Sequence, residues 1–260
     1  MTVVLTMLDG ARPDALTTAH CPTLKQLRES GAHTLKARSV MPSITLPCHM
    51  SIFHSVPPTR HGIVSNDWSP MARPLPGLIE QARAAGLRCA FFYNWEPLRN
   101  LSRPEQLSLS HFRDNARTEE GDQLIAEEAA RYISQEPPDF AFVYFGTVDE
   151  TGHKYGWMSD QYLGQLEKVD GALALVLDAL PADSTVLVQS DHGGHDRSHG
   201  TDSTEDMTIP WLIAGPGIRQ DYQIEGPVSL LDTAPTLAYV MGVAPHSAWE
   251  GRRVEEIFTR

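Results

Sequence analysis

Three histidines and two aspartates fall within the eleven residues Ser190–Gly200, S-D-H-G-G-H-D-R-S-H-G. The segment follows Ser184–Gln189, a β-branched and apolar run that reads as a buried strand. Asp191 and His192 therefore stand where a strand gives way to a loop, the edge at which open α/β sheets bind ligands. Asp9 shares that position at the end of the apolar run Thr2–Leu8, and Asp149 with His153 shares it after the run Phe140–Phe145. Carboxylate oxygen and imidazole nitrogen without thiolate suit a catalytic zinc site or a related divalent ion. Two such ions about 3.5–4 Å apart can clamp the attacking and leaving oxygens of a phosphoryl displacement. Each group taken singly has a plainer account: Asp9-Gly10 as a turn, Asp149 and His153 as a loop carboxylate beside a capping histidine, and 190–200 as a polar loop. The joint pattern is what favours a metal centre.

Thr45 is the candidate nucleophile. A threonine hydroxyl attacks only with a base or a metal to hold its alkoxide. The stretch Met41–His49 reads as a loop turning into a helix near Thr45, with Pro47 in the first turn, where a missing N–H costs nothing. A hydroxyl there faces backbone N–H groups and the positive helix end, which favour phosphoryl oxygens. The plain alternative is that Thr45 caps its own helix. Asn66, in H-G-I-V-S-N-D, can donate its amide to a developing phosphoryl charge, or serve only as a turn residue.

The elements that must position these groups alternate along the chain. Strands are expected at Val3–Leu8, Arg88–Tyr93, Phe140–Phe145, Thr185–Gln189 and Ile209–Ala214, with 32–40 extended. Helices are expected at 22–30, from about 45 to 55, and at 75–85, 119–134, 159–180 and 229–241, with Ser159 as an N-cap. This alternation implies an α/β fold: a mostly parallel central sheet with helices on both faces. One domain over 1–260 is the natural count, and the polar, irregular stretch 94–118 is a candidate lid insertion.

Composition narrows the partners. The 260 residues carry a formal charge of −12, so no basic face for a nucleic-acid scaffold is expected. No apolar stretch approaches the roughly 20 residues of a membrane span, and Thr2–Leu8 lacks a basic flank, which favours a core strand over a signal peptide. Three scattered cysteines, Cys21, Cys48 and Cys89, suggest no disulfide framework and fit a reduced, cytoplasmic setting. The oligomeric state is left open.

The motifs in order are L-D-G, P-S-I-T-L-P-C-H, R-H-G-I-V-S-N, V-D-E-T-G-H, S-D-H-G, and S-H-G-T-D with M-T-I-P-W-L-I-A-G-P-G behind it. Together they resemble the alkaline phosphatase superfamily, and within it the nucleotide pyrophosphatase/phosphodiesterase branch, the type I phosphodiesterases. The resemblance covers nearly the whole chain. It implies an alkaline-phosphatase-like fold and two divalent ions, zinc above all, with manganese or iron as alternatives. One ion would be held by Asp149, His153 and His199, the other by Asp9, Asp191 and His192, with Thr45 bridging from the substrate side. Asn66 falls where the family keeps an oxyanion-stabilising asparagine. His199 is preferred to His195 because it is followed by G-T-D, as in the family.

The implied reaction is hydrolysis of phosphodiesters or nucleotide pyrophosphates through a phosphothreonine at Thr45, the substrate being a small phosphoester. A phosphomonoesterase or phosphonate hydrolase with the same site is the alternative, and a metal-binding module without catalysis is the reading from another class. Trp68 and Trp95 are candidates to stack on the leaving group, or else packing groups. The chain departs from the family in being short, which implies a reduced cap, in Cys48 where asparagine often precedes the histidine, and in Asp67-Trp68 after Asn66. Sulfatases are similar less closely, because Cys48 lies outside the C-x-P-x-R context, and cofactor-independent phosphoglycerate mutases carry a large inserted domain for which there is no room.

Overall fold

The apolar runs of the sequence become the strands of one sheet in a computed structural model, which describes residues 1–259. The chain runs through β1 (Val3–Leu8), α1 (Pro13–Thr18), α2 (Pro22–Ser30), β2 (Ala32–Arg38), α3 (Thr45–His54), α4 (Pro58–His61) and α5 (Leu78–Ala84). It continues through β3 (Cys89–Tyr93), β4 (Leu109–Phe112), α6 (Gly121–Gln135), β5 (Phe140–Phe145), α7 (Thr147–Tyr155) and α8 (Asp160–Asp178). The last elements are β6 (Thr185–Gln189), α9 (Thr204–Met207), β7 (Thr208–Ala214), β8 (Tyr222–Gln223) and α10 (Thr233–Val240).

The strand order is β4-β3-β5-β1-β6-β7-β2-β8. From β4 to β6 every pairing is parallel, while β7 runs against both β6 and β2. Side chains alternate across the sheet. Leu5, Phe142 and Trp211 meet α3, α5 and α10 on one face, and Val4, Val143 and Leu212 meet α1, α2, α6 and α8 on the other. Both faces are covered, so β1, β5 and β6 are buried along their whole length, which is why each is a continuous apolar run.

Local chemistry sets the helix starts. Proline opens α1 and α2, where its fixed φ suits the first turn. Ser159 caps α8 by accepting from the Tyr162 N–H. Helix α3 starts differently: Ile44 supplies no cap, Pro47 removes one amide, and all ten helical residues are buried. Its first-turn N–H groups therefore look for partners outside the helix.

Two expected segments differ. Asp149 and His153 lie on α7 rather than in a loop. The stretch 94–118, expected to be irregular, supplies edge strand β4 in parallel with β3 and buries Leu98 and Leu101 in the core. Among the described residues, no helix is long and apolar enough to cross a membrane. Cys21, Cys48 and Cys89 are buried free thiols.

Candidate active site

Adjacent parallel strands bring the acidic residues together. β5, β1 and β6 are neighbours in register, with Leu8 level with Phe145 and Met7 level with Gln189. Their carboxyl ends therefore deliver Asp9, the start of α7 and Asp191 to one edge. On α7 a spacing of four residues puts Asp149 and His153 on one face. The close approach of α7 depends on Gly10, which has φ +68°, and a Cβ there would lie 2.9 Å from Asp149 Oδ1.

Three histidines are turned the same way. Nδ1 of His192 donates to Gly193 O at 2.8 Å, that of His199 to Ser43 O at 2.8 Å, and that of His153 to Arg197 O at 3.0 Å. A carbonyl only accepts, so each Nδ1 carries the proton and each Nε2 is presented elsewhere. Those Nε2 atoms converge on the carboxylates. His153 Nε2 is 3.3 Å from Asp149 Oδ2, and His199 Nε2 is 3.6 Å from Asp149 Oδ1. His192 Nε2 is 3.3 Å from Asp9 Oδ1 and 3.4 Å from Asp191 Oδ2.

The donor atoms fit divalent cations. Asp9 Oδ1, Asp149 Oδ1 and Asp191 Oδ2 are buried with no hydrogen-bond partner. Unpaired buried carboxylate oxygens are costly unless something cationic answers them. Two sets of ligand atoms lie within 4.8 Å of one another: Asp149, His153 and His199, and Asp9, Asp149 and His192. The first set is the grouping expected from the resemblance. The second differs from it in that Asp149 takes the place expected of Asp191, which stays beside His192 and whose Oδ1 accepts from Gly10 N at 3.3 Å.

Electrostatics point the same way. Burial, then the charges of Asp191 and Asp149, hold the Asp9 carboxyl well above its usual range. Burial pushes Asp191 up to about 7, with Asp149 adding to it. Burial also opposes ionisation of Asp149, but the hydrogen bond from His153 and the neighbouring imidazoles prevail and lower it. The Asp149 hydrogen bond lifts His153 to about 9, whereas burial drops His199 to about 4.

Thr45 opens α3 and is buried, with Oγ1 3.2 Å from His192 Nε2. Asn66 Oδ1 accepts from Leu46 N at 3.0 Å, so the side-chain amide sits at the same helix start with its NH2 group uncommitted to that bond. With Leu46 N taken and Pro47 carrying no N–H, the Thr45 amide is the first-turn donor left to the site. The expected metal ligands, Thr45 and Asn66 are thus gathered at one place. His195 is not: its Nδ1 bonds Asp206 Oδ1 at 2.7 Å, and Asp206 in turn accepts from Thr201 N and Oγ1.

The tryptophans are placed apart from these contacts. Trp95 is partly buried and packs against the core cluster around α3. Trp68 is exposed and lines a largely apolar cavity of about 320 Å³ with Met50, Met71 and Leu75. A larger cleft of about 650 Å³, lined mostly by polar and charged residues, lies along α7, where His153 shares its wall with Arg117, Glu150, Lys154 and Lys168.

Several supporting residues carry no sequence signal of their own. The Tyr144 hydroxyl donates to Asp9 Oδ2, leaving Oδ1 to face His192. Trp157 Nε1 donates to Gly10 O at 2.9 Å, joined there by the Tyr162 hydroxyl at 2.8 Å. The Trp157 ring fits against Gly152 and Gly194, where a Cβ would approach it to 2.7 and 2.2 Å, and it meets His153 edge-on at 5.0 Å. His49 Nδ1 donates to Thr45 O at 2.8 Å and lies 3.5 Å from Asp191 Oδ2. The two glycines are the nearest thing to a clue, since small residues mark close approach.

A family model described as type I phosphodiesterase / nucleotide pyrophosphatase matches residues 3–208, a span that holds every residue of this cluster. The chain belongs to that family. Among the relatives of this chain, human ectonucleotide pyrophosphatase/phosphodiesterase family member 1 is 25% identical over 216 residues, which cover 73% of this chain and 23% of the human protein. An uncharacterised pyrophosphatase/phosphodiesterase of Schizosaccharomyces pombe is 25% identical over 237 residues, covering 81% of this chain and 47% of that one. The chain therefore spans between about a quarter and a half of the length of these relatives. The solved structure of human ectonucleotide pyrophosphatase/phosphodiesterase 5 superposes with a TM-score of 0.83 at 15% identity and full coverage of both chains. A phosphonate monoester hydrolase of Agrobacterium radiobacter superposes with a TM-score of 0.77 at 16% identity, covering 97% of this chain and 76% of that one. These likenesses show that the chain shares the α/β fold of those structures.

Proposed function

We propose that the protein is a two-metal phosphoester hydrolase that cleaves small phosphodiesters or nucleotide pyrophosphates through a phosphothreonine at Thr45. The observation that carries this reading is the set of orphaned oxygens on Asp9, Asp149 and Asp191, facing the Nε2 atoms of His153, His192 and His199 around the Thr45 hydroxyl. Asp149, His153 and His199 would hold one divalent cation and Asp9, Asp191 and His192 the other, with Asp149 close enough to serve both. The oxygen and nitrogen donor set suits zinc, and manganese or iron are the alternatives. When bound, such cations supply Lewis-acid charge that acidifies a hydroxyl and stabilises the leaving oxygen.

The chain's own residues do the rest. Thr45 Oγ1 attacks phosphorus in line, forming one P–O bond as the bond to the leaving oxygen breaks. Asn66 and the Thr45 N–H hold a non-bridging oxygen as charge develops on it. Water then breaks the Thr45–phosphorus bond and releases the product. Diesters are preferred to monoesters because the Arg12 guanidinium, which reaches the 190–200 loop at Gly194 O, is already engaged there and by Asp14. The extra oxygen of a monoester has no such partner there. Three buried free thiols support a reducing, cytoplasmic setting.

The test is Thr45→Ala. The variant should bind about two zinc ions per chain, as the wild type does, and lose turnover of bis-p-nitrophenyl phosphate. Wild-type turnover in the variant rules out the covalent route, and faster hydrolysis of p-nitrophenyl phosphate than of the diester rules out the diester preference.

A further inference from the structure

The start of α7 is held by an acid that belongs to neither ligand set. Asp122, the second residue of α6, is 1% exposed. Its Oδ1 accepts from Asn94 Nδ2 at 2.7 Å and Gly146 N at 3.0 Å. Its Oδ2 accepts from Thr147 N at 3.0 Å and Thr147 Oγ1 at 2.5 Å. Gln165 on α8 completes the group by donating to Thr147 Oγ1 at 2.7 Å and to Glu119 O at 3.1 Å.

Three of the four donors to Asp122 come from the two residues that begin α7. Two of them are backbone N–H groups that the helix cannot satisfy internally. Asp149 lies on the first turn after them and His153 on the next. A helix is a stiff rod rising about 1.5 Å per residue, so a tilt at Thr147 is carried to both ligand atoms. Asp122 has no cationic partner among the described residues, and burial pushes its carboxyl up to about 6 against the pull of all four donors. Simple stapling of α6 to α7 would be served as well by apolar side chains, which avoid the cost of burying a carboxylate. What a carboxylate adds is directional: four bonds that fix the rotation and tilt of the helix start.

We infer that Asp122 is the positioning residue for the cation site of Asp149, His153 and His199. The inner groups Asp9, Asp191 and His192 come from segments Asp122 does not touch, so its effect falls chiefly on the site of Asp149, His153 and His199 and reaches the other only through Asp149. This inference rests on the two-cation reading above.

The test is a zinc titration of Asp122→Asn against a chromophoric chelator, beside wild type and His153→Ala, which marks the outer site. Asparagine keeps the shape but turns an NH2 group toward donors. The expected result is loss of affinity by about 10–100-fold in the step that His153→Ala removes, with a distinctly smaller loss in the other step. Ile133→Val, in the buried core face of α6, controls for lost stability and should leave both steps in place. Two wild-type steps in Asp122→Asn, or an equal weakening of both, overturns the assignment. Should Asp122→Asn not fold, Thr147→Val removes one donor at constant shape and should weaken the same step by about three- to tenfold; unchanged binding there overturns the assignment too. A wild-type chain that takes up no zinc overturns the proposed function and this inference with it, whereas two sites in wild type and an unaltered Asp122→Asn overturn this inference alone.

Discussion

His153 Nε2 and His199 Nε2 stand 3.1 Å apart, and each ring has already given its Nδ1 proton to a backbone carbonyl. Two neutral imidazoles in that pose set lone pair against lone pair. Without a cation the conflict is relieved by a proton on His153, which the Asp149 hydrogen bond raises to about 9 from the ordinary 6.5.

A pH dependence follows for the metal-free protein. A folded value above the unfolded one means stability fully present below pH 6.5 and lost as pH rises through about 9. Asp191, raised from 3.8 to about 7, acts in the same sense, but between those two values and so mostly below that range. The melting temperature of chelated protein should therefore fall between pH 6.5 and pH 9. With zinc bound the imidazole must be neutral at every pH in that window, so the slope should flatten. Equal slopes with and without zinc, followed by calorimetry, would contradict this account.

Asn66→Ala removes the side-chain oxygen that engages Leu46 N and the amide beside it. Loss of one donor to a developing oxyanion costs about 10²–10³ in kcat. We expect that loss with zinc content unchanged. A fall in metal content of the same size would make Asn66 a structural brace of α3 instead.

Tyr144→Phe deletes the hydroxyl that holds Asp9 Oδ2. Asp9 then has a second buried oxygen without a donor, at a cost of about 1–3 kcal/mol, and its free oxygen is no longer aimed at His192. Zinc affinity at the inner position should drop about 10–100-fold. Calorimetric titration of the purified variant reads both effects, and wild-type affinity would remove Tyr144 from the site.

Gly10→Ala should be damaging out of proportion to its size. The backbone has φ +68°, and the new methyl would meet both the carboxylate and the Cα of Asp149 at 2.9 and 3.1 Å. Conformational strain alone is about 1–2 kcal/mol. The contact adds a displacement of α7, so metal retention should fall along with the melting temperature. A variant that melts lower but keeps both ions would assign Gly10 to the turn only.

The sheet was legible because both its faces are covered. Buried parallel strands leave continuous apolar runs, and the ligands sit directly after them. Helix α7 was not legible: T-V-D-E-T-G-H-K-Y is polar and carries Gly152, which weakens a helix but is required where the Trp157 ring passes. Strand β4 escaped notice because L-S-H-F is four residues long inside a polar stretch. The bonds of Tyr144 to Asp9 and of Asp122 to Thr147 join residues 135 and 25 positions apart, and no local pattern announces such pairs.

Exposure differs sharply between the two groups of proposed ligands. The side chains of Asp9, Asp191 and His192 are 2%, 0% and 0% accessible, whereas His153 is 41% accessible and Asp149 11%. Ion exchange with the medium should accordingly be a two-speed process, the rim cation leaving first and the deep one lingering until the loops around it loosen. A chain caught halfway would still grip one ion beside Thr45, a partly loaded species that stopped-flow chelation would register as a slow second phase.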